Sequence, residues 1–330
     1  MGGPSHRPLL YAAIGICALL LCPASNPADH SLAVPFIGVD YGPFHKDGQR
    51  PDSAAELSEE QIREDLQSIT AAGFQWVRTY GVDQGLNRIV PLAHRLFPQL
   101  RIFLGVYVCG LNHDEAGDPR RTRAQLDEAI RLANRYPNVA GIVVGNECLA
   151  GEPEACPQPV SVEQLIEDLI RVKKGLAPEV RKTIVVTSAL SMVAAVKNHA
   201  VQGLRVAEYC DVVMVNIHPF FAPAAVEEAV GSNVDGSYRR LIQLYAQTGK
   251  PIVIGETGWP SAGPSNGPAA PGLGYQERFT RDLFRYARSR GVSVFVFEMF
   301  DEPWKTEAGG VGPHWGLFDK NGRAKFALPW

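Results

Sequence analysis

From residue 36 onward, short apolar runs alternate with longer stretches in which apolar residues recur every three or four positions. The short runs have the length and β-branched character of strands buried on both faces. The longer stretches have the period of helices packed by one face. This pattern predicts strands at 36–42, 76–81, 101–108, 139–147, 183–188, 211–218, 251–256 and 292–300. It predicts helices at 57–72, 86–97, 118–136, 161–175, within 226–247 and at 275–290, with a less regular one after the fifth strand. Ser58 with Gln61 and Ser161 with Gln164 have capping-box spacing, and Gly73 and Gly291 stop two of the helices. Strict alternation implies parallel strands with helices outside them, and eight such units fit a closed (β/α)8 TIM barrel, a single α/β domain over residues 34–330. A doubly wound open sheet is the alternative. It would carry a Gly-rich phosphate turn after its first strand, where this chain reads Asp40-Tyr41-Gly42-Pro43-Phe44.

The first thirty residues break the pattern. Arg7 precedes a continuous apolar run, Leu9 to Leu21, which is short for a bilayer but right for a signal-peptide core. Residues 1–33 are therefore expected to be a signal peptide, with cleavage near Ala24, near Ala28 or after Ala33. A lipid-modified Cys22 and an uncleaved anchor are lesser alternatives. Export implies a secreted, periplasmic or cell-wall-associated protein. Composition alters this little: hydrophobic content of 45%, charge of 20% and a net charge of -3 suit a globular domain and give no electrostatic case for nucleic acid.

Signal removal leaves Cys109, Cys148, Cys156 and Cys210, an even count that permits disulfides in an oxidising compartment. Their spacing is not that of a zinc site, and no metal or cofactor is expected. Cys148 and Cys156 bracket a loop with Gly151, Pro153 and Pro157 and are the first candidates for a bond, with Cys109 competing.

In such a barrel the active site forms where strands run out into their following loops. The residues there are Tyr41, Arg78, Tyr80, Tyr107, Asn146, Glu147, His218, Phe220, Glu256, Trp259, Glu298, Asp301, Glu302 and, just beyond, Trp304. This rim is aromatic and acidic, which suits a neutral, hydroxyl-rich ligand better than a phosphate. Glu147 and Glu256 end the fourth and seventh strands, nearly opposite one another. Two carboxylates across a cleft are what cleavage of a glycosidic bond requires. One must hold a proton for the leaving oxygen; the other must stay charged to attack or stabilise the anomeric carbon. Asn146 could bond the adjacent sugar hydroxyl.

Gly145-Asn146-Glu147, the run Gly255-Glu256-Thr257-Gly258-Trp259-Pro260-Ser261, the run from Phe297 to Lys305 and the closing His314-Trp315-Gly316-Leu317-Phe318 together resemble glycoside hydrolase family 17. The resemblance runs from about Gly38 to Phe318. It implies a retaining (β/α)8 enzyme of β-1,3-glucan, a β-1,3-glucanase or β-1,3-glucanosyltransferase. Glu147 then matches the acid/base and Glu256 the nucleophile. Plant members typically read Tyr-Pro where this chain has His218-Pro219, so the chain looks more like the fungal and bacterial branch. An acid often found before the closing motif is missing, since Gly312 and Pro313 stand there.

Each site residue also has a plainer reading. Arg78 is either a core ion-pair partner or a group that orients Glu256. His218 is either a satisfied buried histidine or a substrate contact. Tyr41, Tyr107, Phe220, Trp259 and Trp304 are either packing or sugar platforms. Glu298 and Glu302 suit supporting hydrogen bonds, and Arg120, Arg121 and Arg123 suit a solvated helix start. The expected function is a retaining glycosidase with both hydrolysis and transglycosylation, acting as a monomer. The alternatives are a glucanosyltransferase proper and, from another class, an inactive barrel that binds wall polysaccharide.

Overall fold

The computed structural model describes residues 1–2, 35–51, 57–109, 119–151, 159–222, 224–306 and 308–330. All but residues 1–2 of the expected signal peptide, together with Cys156, lie outside the described residues.

Eight parallel strands close into a barrel in chain order, β1 pairing with β8. They are β1 Ile37–Asp40, β2 Trp76–Arg78, β3 Arg101–Val106, β4 Val139–Asn146, β5 Val185–Leu190, β6 Val213–Asn216, β7 Ile252–Thr257 and β8 Ser293–Val296. The main outer helices are Glu59–Ala71, Ile89–Leu96, Pro119–Arg135, Val162–Gly175, Leu204–Tyr209, Asp235–Tyr245 and Leu273–Arg290. Ser58 and Ser161 each cap a helix, accepting from Gln61 N and Gln164 N at 3.1 Å. The αL residue Gly291 ends the longest helix.

β5 lies two residues further on than its apolar run suggests. Thr183 is spent on a turn, its N and Oγ1 both bonding the Val180 carbonyl at 3.0 Å. The irregular helix after β5 proves to be two wide π-helical turns, Val193–Lys197 and His199–Gly203, running into Leu204–Tyr209. β8 ends at Val296, and the Phe297–Glu298 peptide is cis. The following residues pair instead with β1 and with the closing segment, through Met299 N to Asp40 O and Leu317 N to Glu298 O, each 2.9 Å.

Two apolar layers hold this up. Between strands and helices lies the large layer, including Ile62, Leu66 and Ile69 of the first helix. Inside the barrel, Phe36, Phe103, Val143, Val185, Met214, Val253 and Phe295 fill the end opposite the strand termini. The space is tight: a Cβ on Gly38 would sit 2.6 Å from the Phe295 ring, and one on Gly141 would sit 2.8 Å from Phe103. The interior is thus plugged below, which leaves the C-terminal rim as the open end.

Candidate active site

Three strands shift register where they approach this rim. The breaks fall between Val143 and Asn146, between Val215 and Asn216, and between Ile254 and Thr257. Such irregularities re-aim side chains at a strand's end. Gly145 (φ 74°) and Glu147 (φ 46°) both lie in the left-handed region, so the chain swings sharply as it leaves β4. Left-handed backbone at a glutamate is uncommon and collects at functional sites.

Glu256 is buried and held by three donors. Arg78 Nη1 donates to Oε1 at 3.0 Å, Tyr80 Oη to Oε1 at 3.1 Å, and His218 Nε2 meets Oε2 at 3.1 Å. Burial alone would raise its pKa, but the Arg78 charge, the His218 bond and Lys305 outweigh it and hold the carboxyl at about 2. It is an anion at any working pH. Arg78 is itself buried and reaches three strand ends, donating to Gly255 O at 2.7 Å and through Nη2 to Asn146 Oδ1 at 2.6 Å. Both readings of Arg78 therefore hold: it is a core ion-pair partner, and it fixes Glu256.

A line of hydrogen bonds joins the two glutamates. Asn216 Nδ2 donates to Glu147 Oε1 at 2.8 Å and to Asn146 Oδ1 at 3.0 Å. Asn146 Oδ1 then takes Arg78 Nη2, and Arg78 grips Glu256. Asn216, paired across the sheet with Glu256, was not among the expected site residues. Its signal is a polar residue inside the apolar run Val213–Ile217. Asp40, also missed, is fully buried at the end of β1, with Oδ1 3.4 Å from Arg78 Nη1. Burial, aided by the nearby Glu256 charge, pushes its pKa well above the ordinary value despite Arg78.

A second acidic group follows β8. Lys305 Nζ, missed as a site residue although it closes the quoted motif, contacts Glu298 Oε2 and Glu302 Oε2 at 2.6 Å each. It lies 4.5 Å above the Phe297 ring and 5.6 Å from that of Trp304. Burial and the Glu302 charge raise Glu298 well above its ordinary value despite Lys305. Glu302 is lowered: burial is outweighed by Lys305 and a hydrogen bond to Glu298. The two carboxyls are thus pushed in opposite directions around one ammonium.

The expected aromatics divide. Tyr80, Tyr107 and Trp304 are partly exposed on the rim. Arg121 lies 5.4 Å from the Tyr107 ring centroid and pairs with Asp83 at 2.6 Å, so it is not merely solvated. Tyr41, Phe220 and Trp259 are placed in the core instead of on the rim. Tyr41 is tied to Asp65, Phe220 packs edge-on to Trp259 at 5.3 Å, and Trp259 Nε1 donates to Ala270 O at 2.9 Å. Phe221, next to Phe220, is 49% exposed and faces outward instead. His218 sits between Phe297 and Trp315, ring centroids at 5.3 and 5.6 Å.

The expected Cys148–Cys156 bond does not form. Cys148 is a buried thiol, whereas Cys109 is disulfide-bonded. The Cys148 sulfur lies so close to Gly145 that a Cβ there would sit 2.6 Å from it. Among the described residues no cluster of His, Cys, Asp and Glu has the makings of a metal site.

The arrangement can present one pinned anion and a second carboxyl joined to it by hydrogen bonds, with partly exposed aromatics on the same rim. Comparison with known proteins agrees with that chemistry. A family model described as the BtgE/BtgC glycoside hydrolase domain matches residues 38–316. A probable family 17 glucosidase of Saccharomyces cerevisiae is 26% identical over 86% of this chain and 65% of its own length. A probable beta-glucosidase of Emericella nidulans is 28% identical over 86% of this chain and 47% of its own. The chain thus spans roughly half to two thirds of these relatives. In structure it is similar to an active-site mutant of the Rhizomucor miehei beta-1,3-glucanosyltransferase in complex with laminaritriose. The TM-score is 0.69 at 22% identity, covering 89% of this chain and 96% of that one.

Proposed function

Because the chain belongs to the BtgE/BtgC glycoside hydrolases of family 17, we propose that it is a retaining glycosidase acting on β-1,3-glucan. Glu256 is the nucleophile. It attacks the anomeric carbon while Glu147 protonates the departing glycosidic oxygen. Glu147, now a carboxylate, then takes a proton from the incoming acceptor, which displaces Glu256. The observation that carries this reading is the pinned Glu256 anion, joined to Glu147 through Asn216, Asn146 and Arg78. An attacking carboxylate must be ionised and immobile, and three donors make it both. Retention predicts carboxyl groups about 5–5.5 Å apart; a gap of about 8 Å would admit a water and favour inversion.

The acceptor is water or a second sugar. A sugar competes only if it is held in place, since a well-oriented group reaches effective molarities on the order of 10⁵ M. His218, Phe221 and Trp304 offer surfaces for that, and relatives of this fold include a glucanosyltransferase. The proposal therefore includes substantial transfer beside hydrolysis, on an exported, wall-associated or periplasmic monomer whose residues 1–33 are a signal peptide. The test is a product time course on millimolar laminari-oligosaccharides. Products longer than the substrate support transfer. Shorter products alone make the enzyme a simple glucanase. No turnover on any β-1,3-glucan would favour a wall-polysaccharide-binding barrel.

A further inference from the structure

A second buried polar cluster lies in the seam between β1 and the closing segment after β8. Tyr41, His45 and Asp65 are all buried there. Tyr41 Oη donates to Asp65 Oδ2 at 2.8 Å, and His45 Nε2 meets Asp65 Oδ1 at 2.9 Å. On the other side of the ring, His45 Nδ1 meets the backbone carbonyl of Lys320 at 2.7 Å. A carbonyl only accepts, so Nδ1 carries a proton. The Asp65 carboxyl already accepts from Tyr41 and, taken as an acceptor at Oδ1 as well, assigns a second proton to Nε2. Both nitrogens thus donate, and His45 is an imidazolium.

The remaining groups around the ring fit this state. Phe300 stacks on it at 4.4 Å. The Lys320 ammonium is turned away onto Asp47 at 2.7 Å. Lys46, next in sequence, opposes the charge and lies 3.9 Å from Glu64, while the Glu302 charge acts on Tyr41 of the cluster. Burial lowers the proton affinity of His45, but the bond to Asp65, the Asp65 charge and the Lys320 carbonyl together raise it above 6.5.

What the ring fastens borders the acidic group at the rim. The closing segment pairs with the chain after β8 through Phe318 N to Met299 O and Asp301 N to Phe318 O, each 2.9 Å. Farther on, Lys325 Nζ bonds both Asp301 Oδ1 and Ser261 Oγ at 2.7 Å. On the other side, the Glu302 carboxyl leans on Gly42, three residues before His45. We propose that His45 and Asp65 form a proton-dependent clasp, which fastens the closing segment to the loop after β1 and so holds the wall behind Glu302. A neutral imidazole has a single N–H. On losing its proton, His45 must abandon either Lys320 O or Asp65 and leave a buried acceptor unpaired. The clasp is fully closed below the unfolded histidine's pKa of about 6.5 and opens as pH rises through the higher folded value.

Hydrogen exchange on the full chain, corrected for intrinsic base catalysis, tests this without any sugar. Peptides covering 316–326 should lose protection between pH 6.5 and 9, by about tenfold for each unit by which the folded pKa exceeds the unfolded one. Peptides from β3 and β4 should not change. In His45→Gln the same peptides should exchange fast at pH 6 and show no such pH dependence. Equal protection of wild-type 316–326 at both ends of that range would overturn the clasp, as would an unaltered pH slope in His45→Gln. Should that variant not fold, the His45 Cε1 proton of the wild type can be titrated by NMR. A midpoint above 6.5 supports the proposal, and one at or below 6.5 overturns it.

Discussion

Two buried glutamates, one on β7 and one just after β8, have their pKa values driven in opposite directions. Glu256, on β7, is held at about 2. Glu298, just after β8, is pushed well above its ordinary value. Burial acts upward on both, so burial does not distinguish them. The difference lies in their partners. Glu256 has Arg78, Tyr80 and His218. Its acidic neighbour Asp40 is pushed the other way, well above its ordinary value, by burial and by the Glu256 charge. Glu298 has Lys305, which it shares with Glu302. With one cation between two carboxyls, Glu302 is lowered and Glu298 is raised. The donors are thus concentrated on the residue that the proposed chemistry needs ionised.

The largest expected effect comes from removing the favoured anion. Glu256→Ala should lose all detectable turnover of laminari-oligosaccharides. Its circular dichroism spectrum should stay native, because Asp40 can then ionise and balance Arg78. Activity near the wild-type level would end the assignment.

Removing the donor instead should weaken the contrast. Arg78→Met should lower kcat by about 10²- to 10³-fold, the usual cost of losing one preorganised charge contact. The acid limb of kcat/KM should also move upward from about 2, because the group that depresses Glu256 is gone. A variant with lower kcat but an unmoved acid limb would mean that Arg78 only supports the fold. Stability follows the same sign. A depressed carboxyl contributes stability above its unfolded pKa, and that contribution is lost between 4.5 and about 2 as pH falls. Arg78→Met should flatten this part of the acid melting curve.

The smallest effect is expected at the other glutamate. Glu298→Gln replaces a carboxyl whose pKa is raised by a neutral amide of similar shape, so kcat should change by less than about threefold, under ~1 kcal/mol. The wild type should also lose stability as pH rises through the raised folded pKa of Glu298, and Glu298→Gln should not. Glu302→Gln should be more harmful than Glu298→Gln. Equal effects on thermal melting would contradict the opposite shifts of the two carboxyls.

How far these features were legible varies with their physical origin. The barrel follows from the alternation of buried apolar runs with one-sided helices, and both paired glutamates stand where such runs end. Asn216 and Asp40 were not read as site residues because a single polar side chain in or after an apolar run gives no sign of its partner. Arg78 links them only once β1, β2, β4 and β7 share one rim. Tyr41, Phe220 and Trp259 ended in the core because an aromatic at a strand end does not declare which way it points. Phe220 and Phe221 are neighbours, yet one is buried and the other exposed. Cys148 was misassigned because sequence gives no sign of the left-handed backbone at Gly145 and Glu147 that aims its sulfur at Gly145. His45 and Asp65 could not be paired from sequence, since the helix Glu59–Ala71 brings together residues twenty apart.

The central claim is that the Glu256 anion forms a bond to sugar. A 2-fluoro-laminaribioside with an activated leaving group slows release of a glycosyl-enzyme, so the adduct can be found by peptide mass spectrometry. The account predicts one added disaccharide per chain, on the peptide containing Glu256, and a first-formed product of retained β configuration. An adduct on another residue, or a first product of α configuration, would contradict it.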